Sequence, residues 1–148
     1  MNYVLDTNIL LLYLKDDRTK AIIEQHYDPF AAVNNPIISI VTVGEMRALA
    51  RKNHWGDKRL KAVETLMSKL IIADIKYEPI LNKYAEIDAF SQGTIKENPL
   101  GMSARNMGKN DLWIAATTAV ADAMLITTDG DFDHLHQKFF DVAKIEKV

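Results

Sequence analysis

The sequence predicts an α/β sandwich in which a mostly parallel central sheet is flanked by helices. Short apolar segments alternate along the chain with segments of helical periodicity, and a helix that connects two parallel strands must cover a face of the sheet. The strand segments are nearly continuously apolar, which is typical of strands buried on both faces. Three predicted strand ends are followed by acidic residues, and side chains at these ends of parallel strands gather along one edge of the sheet.

The first strand and helix lie near residue 1. Residues 2–5 form a short apolar run, which is cut off by the polar motif Asp6-Thr7-Asn8. After this motif, apolar side chains recur at helical spacing at Ile9, Leu10, Tyr13 and Leu14. The pattern predicts a strand, a turn and a helix in that order.

A second strand and helix follow Pro36. The β-branched run 37–41 is short enough to be a buried strand, and Thr42 is the expected N-cap of the next helix. That helix should cover about residues 43–53 and stop near Gly56, which we expect to break it.

The middle of the chain predicts two more helices and an irregular stretch. Asp57 is the expected cap of the first helix, whose apolar positions lead into the triplet 71–73, and Pro79 fits the first turn of the second. Residues 91–110 are the least regular part of the chain, because Gly and Pro recur there.

A last helix and strand complete the alternation. Asn110-Asp111 is the expected cap of a helix over residues 112–121. The apolar run 124–128 predicts a strand that runs into the motif Asp129-Gly130-Asp131-Phe132.

The composition indicates a single domain over residues 1–148. With 148 residues, of which 48% are hydrophobic and 26% charged, the chain can bury an apolar core without disulfides or a structural metal. The absence of cysteine excludes a disulfide scaffold, thiol catalysis and cysteine-ligated zinc. The apolar run 9–14 is far shorter than the roughly 18 residues of a membrane span, so we expect a cytoplasmic protein without membrane contact.

Five acidic residues form a candidate site. Asp6 follows the first strand, Glu45 lies one turn into the helix after the second, and Asp111 opens a helix. Asp129 and Asp131 follow the last strand. In a parallel sheet these carboxylates can converge, and converging carboxylates repel one another unless a divalent cation or protons neutralise them. One or two Mg²⁺ or Mn²⁺ ions held by such a site suit phosphodiester hydrolysis.

Each acid also has a purely structural interpretation. Glu45 stands three residues after Thr42, which is the spacing of a capping box. Asp111 in a first helical turn would interact favourably with the helix dipole, and Asp129-Gly130 is a turn dipeptide. Asp6 is harder to explain without a site, because an acid ends an apolar strand abruptly. The joint pattern therefore favours a metal site.

Four motifs occur in a fixed order along the chain. They are Asp6-Thr7-Asn8, Thr42-x-x-Glu45, the segment NDLWIAA at 110–116 and the segment TTDGDF at 127–132. In this order they resemble the motifs of PIN-domain ribonucleases, and especially those of the VapC-type toxins of bacterial toxin–antitoxin pairs. The resemblance covers nearly the whole chain and implies a PIN-like three-layer sandwich.

The resemblance also implies an activity, partners and site residues. The activity would be metal-dependent endoribonuclease cleavage that leaves a 5′-phosphate and a 3′-hydroxyl, and the partners would be RNA, a neutralising antitoxin and a second copy in a homodimer. The implied metal ligands are Asp6, Glu45, Asp111 and Asp129, with Asp131 as the alternative to Asp129. The implied supporting residues are Thr7, Asn8 and Thr127.

Charge is distributed unevenly in a way that suits RNA. Residues 46–69 hold seven basic and two acidic residues, a net +5 that leaves −7 for the remainder of the chain. A basic flank beside the acids would contact phosphates on either side of the scissile bond. The residues that we expect in this role are Arg47, Arg51, Arg105 and Lys109. A solvated helical face is the structural alternative for residues 58–69.

The sequence around the two tryptophans and around His134 and His136 indicates where these side chains lie. Trp55 could stack on a base or pack at a helix end, whereas Trp113 lies in an apolar helix and is expected in the core. His134 and His136 are two residues apart and would point away from each other on a helix, so both are expected at the surface.

Other functions compete with a toxin nuclease. A phosphatase of the haloacid-dehalogenase type also has Asp after its first strand, but it needs a second acid where this chain has Asn8. A non-catalytic PIN module would have no reason to keep mutually repelling carboxylates. A housekeeping RNA-processing PIN nuclease is the alternative within the class, and the absence of an appended domain favours the toxin. Because segment 110–116 resembles that of toxins that cut transfer RNA, we expect a structured RNA loop as substrate.

Overall fold

The computed structural model describes residues 1–146, and its five strands form one parallel sheet. The strands are β1 Asn2–Leu5, β2 Asn35–Ser39, β3 Ile71–Ala73, β4 Met124–Thr127 and β5 Val142–Lys144. Their order in the sheet is β3-β2-β1-β4-β5, and each of the four pairings is parallel. The predicted α/β class with a parallel central sheet is confirmed.

Six α-helices connect these strands and cover both faces of the sheet. They are α1 Thr7–Lys15, α2 Asp17–His26, α3 Ile40–Lys52, α4 Asp57–Met67, α5 Glu78–Ser91 and α6 Lys109–Val120. A 3₁₀ helix, Gly130–Leu135, follows β4. Among residues 1–146, none of the helices combines the length and apolarity that a membrane span requires.

Alternating side chains along the strands divide the core into two parts. In β1, Leu5 joins the core on the α1 and α2 side, whereas Val4 joins the core on the α5 and α6 side. The same alternation separates Ile126 from Leu125 in β4. All four side chains are fully buried, so neither face of the central strands contacts water and the layers are helix, sheet, helix.

The second strand lies two residues earlier than the sequence pattern predicts, at Asn35–Ser39 instead of residues 37–41. It ends at Ser39, whose hydroxyl accepts a 3.2 Å hydrogen bond from the backbone N–H of Val41 and caps α3. The prediction that Thr42 is the N-cap is therefore wrong, and so is the capping box between Thr42 and Glu45. Packing overrides the β propensity of this segment, since Val41 lies against the core from inside the helix.

Two other helix starts are also displaced from their expected positions. Gly56 is the N-cap of α4 and does not end α3, which stops at Lys52 and turns through His54 in the left-handed region at φ 51°. Gly108 precedes α6, so Asn110-Asp111 lies inside the first turn. A glycine N-cap has no side chain that could indicate its position in the sequence. The sequence pattern therefore places the N-cap at the acidic residues that follow the glycine.

The pattern along the chain did not predict α2 or β5. Helix α2 is mostly exposed and its strongest local signal is Asp16, whose carboxylate accepts from the backbone N–H of Thr19 at 3.1 Å. Strand β5 has three residues and is defined by its pairing with β4. Short strands of this kind depend on a neighbour that is close only in the folded chain.

Strands β1 and β4 are neighbours at the centre of the sheet although they stand at opposite ends of the chain. The backbone N–H of Asp6 donates to the carbonyl of Ile126 at 3.1 Å and closes the pair at its carboxyl end. From this pair, β2 and β3 extend the sheet in one direction and β5 extends it in the other. Crevices at such switch points are the usual ligand sites of open α/β sheets.

Candidate metal centre

Asp6 occupies the switch point at the end of β1 and is almost fully buried, with 4% of its surface exposed. One carboxylate oxygen, Oδ1, accepts from the backbone N–H of Thr7 at 2.8 Å, which caps α1. The other, Oδ2, accepts from the hydroxyl of Thr127 at 2.7 Å. Burial raises the pKa of Asp6, while the hydrogen bonds from Thr127 and Thr7 act in the opposite direction.

Glu45 reaches the same crevice from α3. Its Oε1 atom accepts a 3.0 Å hydrogen bond from the hydroxyl of Thr7, and that hydroxyl also lies 3.4 Å from the hydroxyl oxygen of Thr42. Thr7 therefore joins the first turn of α1 to α3 through side chains. Asn8, the third residue of the same motif, is exposed and borders the cleft beside Glu45.

Three further acids of the site lie close to one another. Carboxylate oxygens of Asp111, Asp129 and Asp131 lie within 4.8 Å of one another. Asp129 caps the 3₁₀ helix through a 3.0 Å bond from the backbone N–H of Asp131, and its own N–H donates to the hydroxyl of Thr127 at 3.0 Å. The Thr127 hydroxyl thus contacts both the strand that ends at Asp6 and the turn that carries Asp129.

The negative charges of the other four acids all act on the pKa of Asp111. Burial, followed by the negative charges of Asp6, Asp129, Asp131 and Glu45, raises the pKa of Asp111 to about 7. No salt bridge within residues 1–146 involves any of these five side chains. An all-oxygen donor set with unbalanced negative charge fits a hard divalent cation such as Mg²⁺ or Mn²⁺.

A cleft of about 640 Å³ opens beside Glu45. Helix α3 forms one wall of it with residues at helical spacing, namely Val41, Gly44, Glu45, Ala48, Leu49 and Lys52. The remaining lining residues are Thr7, Asn8, Leu11 and Asn110.

None of the basic residues predicted to contact RNA is among the residues that line this cleft. Arg47 and Arg51 share a face of α3, but that face is exposed and turned away from the one that carries Glu45. Arg105 and Lys109 are exposed near the start of α6. Lys52, seven residues after Glu45, is the cation of α3 that reaches the cleft, and the periodicity of the helix is the signal that identifies it.

His134 is buried, so its predicted surface position is wrong. Only 6% of it is exposed, its Nε2 atom lies 2.7 Å from the hydroxyl of Ser91, and its ring stacks parallel to Phe90. The 3₁₀ helix turns His134 towards α5, whereas His136 is exposed as expected. Burial lowers the pKa of His134, and the positive charge of Arg105 lowers it further.

The two tryptophans lie on different sides of the molecule. Trp113 is half-buried and packs on Tyr84, with ring centroids 4.1 Å apart. Trp55 is also half-buried, packs against the core beneath α1, and has the guanidinium of Arg59 at 5.4 Å from its ring centroid.

Comparison with known proteins agrees with the fold. Ribonuclease VapC1 of Haemophilus influenzae (strain R2866) is 29% identical over 127 residues, or 86% of each chain. The solved structure of VapBC-1 from nontypeable Haemophilus influenzae covers 97% of this chain and 98% of its own at a TM-score of 0.72 and 23% identity. VapBC2 from Rickettsia felis, solved with a promoter DNA fragment, covers 99% and 100% at a TM-score of 0.70 and 19% identity. Since the sequence profile of the PIN domain matches residues 3–138, this protein belongs to the PIN domain family.

Proposed function

We propose that this protein is a metal-dependent endoribonuclease that acts as the toxin of a toxin–antitoxin pair. The observation that carries the proposal is the convergence of five carboxylates at the switch point, where none of them has a salt-bridge partner within residues 1–146. Burial, together with the charges of the other four acids, raises the pKa of Asp111 to about 7. Membership of the PIN family and similarity to a protein named ribonuclease VapC1 support RNA as the substrate.

The residues that would hold the cation belong to two groups. The first group offers carboxylate oxygens within 4.8 Å of one another and consists of Asp111, Asp129 and Asp131. The second group consists of Asp6, which follows β1, and Glu45 in α3, and the negative charges of both act on Asp111. When bound, Mg²⁺ or Mn²⁺ supplies Lewis acidity and lowers the pKa of a coordinated water. Such chemistry requires no protein nucleophile, which agrees with a site built from carboxylates and hydroxyls.

The threonines of the site orient its carboxylates. Thr127 and the backbone of Thr7 each donate to one oxygen of Asp6, and the Thr7 hydroxyl donates to Glu45. These bonds fix the carboxylates before substrate arrives, so that little reorganisation is needed during the reaction. Asn8 borders the cleft and can donate to a phosphate oxygen there.

Substrate and partners follow from the same proposal. The scissile phosphate would lie at the acidic site, and Arg47, Arg51, Arg105 and Lys109, which lie outside the cleft, would contact more distant phosphates of the RNA. We propose a structured RNA loop such as that of transfer RNA as the substrate, and products with a 5′-phosphate and a 3′-hydroxyl. One of the similar solved structures is described as a toxin–antitoxin complex and another as a member of the VapBC family of toxin–antitoxin systems, which supports a cognate antitoxin for this chain. A homodimer built from single domains of residues 1–148 completes the proposed assembly.

Cleavage of total cellular RNA by the purified protein tests this function. We expect discrete fragments in Mg²⁺ or Mn²⁺, and none with EDTA or with the Asp6→Asn variant. Asp122→Asn is a matched control, because Asp122 is exposed in the turn between α6 and β4, where its left-handed backbone at φ 49° suits asparagine. Cleavage that persists in EDTA or in the Asp6→Asn protein would contradict the proposed metal site.

A further inference from the structure

A groove runs from the acidic site to Trp55. The cleft beside Glu45 shares two of its lining residues, Leu11 and Leu49, with a second cavity of about 330 Å³. The second cavity is lined by Leu11, Leu14, Lys15, Leu49, Asn53, Trp55 and Arg59. The two cavities are therefore adjacent, with Leu11 of α1 and Leu49 of α3 common to both, and we call them together the Trp55 groove.

The far end of the Trp55 groove combines an apolar floor with a cationic rim. Three leucines and the indole of Trp55 form the floor, while Lys15 and Arg59 stand exposed at the rim. Lys52 adds a third cation where the groove meets the cleft. None of the described residues that line the second cavity is acidic, so the charge of this end complements an anionic ligand.

The indole is held in place by the turn between α3 and α4. His54 takes a left-handed conformation at φ 51°, and the backbone N–H of Trp55 donates to the carbonyl of Ala50 at 3.0 Å. The ring packs on the core beneath α1 while the Arg59 guanidinium lies 5.4 Å from its centroid. Because the guanidinium lies over the ring, an unpaired base can stack on the guanidinium plane or take its place on the indole, and both surfaces are used to hold unpaired bases.

We propose that the Trp55 groove binds single-stranded RNA next to the scissile phosphate, with a nucleobase against Trp55 and backbone phosphates at Lys15, Lys52 and Arg59. This inference rests on the proposed ribonuclease function and specifies the form of RNA that the site accepts. A base offers an apolar face to the floor and a phosphate offers charge to the rim, so one nucleotide satisfies both parts of the groove. An RNA duplex keeps its bases stacked inside the helix, so it presents only its phosphates to the Trp55 groove.

Tryptophan fluorescence tests the proposal directly. In a Trp113→Phe protein, Trp55 is the only tryptophan, so the fluorescence comes from its indole. A single-stranded oligoadenylate of about eight residues is added in EDTA so that no cleavage occurs. We expect saturable quenching that the same oligoadenylate loses when it is paired with oligouridylate. Trp55→Leu and Arg59→Ala should each weaken binding by about tenfold, measured by anisotropy of a labelled oligonucleotide, and Trp55→Phe should restore most of the affinity.

Lys138→Ala is the control for removal of a cation. Lys138 is exposed beside Met1 and Asp122 at the opposite edge of the sheet, so its loss should leave oligoadenylate binding unchanged. If Trp55→Leu unfolds, Arg59→Ala decides the question, because Arg59 is exposed and its removal leaves the core intact.

The possible outcomes separate this inference from the proposed function. Unchanged oligoadenylate affinity in both Trp55→Leu and Arg59→Ala would overturn the groove, although RNA cleavage by the wild-type protein would still support the nuclease. Stronger quenching by oligoglutamate than by oligoadenylate would also overturn it and would indicate an acidic protein segment as the occupant. If the wild-type protein does not cleave RNA, the proposed function fails, whereas selective quenching by single strands would still support the groove.

Discussion

The hydroxyl of Thr127 donates a 2.7 Å hydrogen bond to Asp6 across 121 positions of sequence. The same oxygen accepts a 3.0 Å bond from the backbone N–H of Asp129. Thr127 is completely buried, so neither bond can be replaced by water without rearrangement. One hydroxyl therefore joins the carboxylate of Asp6 to the backbone of Asp129.

Replacement of Thr127 by valine should damage the site more than the fold. The change keeps the shape but leaves Asp6 Oδ2 and the Asp129 N–H without this partner, which we expect to lower the free energy of unfolding by about 1–3 kcal/mol. It should also weaken Mn²⁺ binding, measured as the metal-induced rise in Tm.

Thr118→Val is the matched control for this experiment. Thr118 is equally buried, but its hydroxyl donates at 2.8 Å only to the carbonyl of Ile114 in its own helix. We expect a loss of stability with Mn²⁺ binding unchanged. Equal Mn²⁺ binding by the Thr127→Val protein and the wild type would show that Thr127 does not organise the site.

The metal-free protein should become less stable as the pH rises from about 4 to about 7. The folded pKa of Asp111 is about 7 against an ordinary value of 3.8, so in this window the folded state binds more protons than the unfolded state. Asp111→Asn should remove this component, and in EDTA at pH 8 it should be as stable as the wild type or more stable. Urea denaturation at pH 5 and pH 8 measures both effects. A marked destabilisation of Asp111→Asn at pH 8 would favour a structural role for Asp111.

Divalent metal should stabilise the wild-type protein. A ligand at one hundred times its Kd adds about 2.7 kcal/mol to the free energy of unfolding if it binds only the folded state. We expect Mn²⁺ to raise the Tm of the wild type and to have little effect on Asp111→Asn. Asp129→Asn should weaken the effect more than Asp131→Asn, because Asp131 is exposed and its charge is better screened. The reverse order would identify Asp131 as the principal ligand of the pair.

His134 should make the protein sensitive to acid. Burial and the charge of Arg105 lower its pKa, so the unfolded state binds more protons than the folded state once the pH falls below about 6.5. Stability contributed by the neutral ring is then lost towards pH 5. Because Asp111 has the opposite slope in this range, the comparison is best made in an Asp111→Asn background. There, His134→Leu should flatten the fall in stability, and an unchanged slope would exclude His134 as its origin.

The sequence by itself determined the fold class and the composition of the candidate site. Apolar runs of strand length alternate with helical periodicity, and an acid stands at or near the end of β1, β2 and β4. These signals are local, because each depends only on which residue types follow one another. They predict that the carboxylates of Asp6, Glu45 and Asp129 can meet at one edge of the sheet.

Only the tertiary structure decided which local signals prevail and which distant residues meet. Ser39 caps α3 in place of Thr42, because Val41 packs against the core as a residue of the helix. His134 is buried against Ser91 because the 3₁₀ helix packs on α5, a contact between residues 43 positions apart. The pairing of β1 with β4 brings Thr127 to Asp6 in the same way. These outcomes depend on burial and on hydrogen bonds between segments distant in sequence, and such energies exist only once the chain has folded.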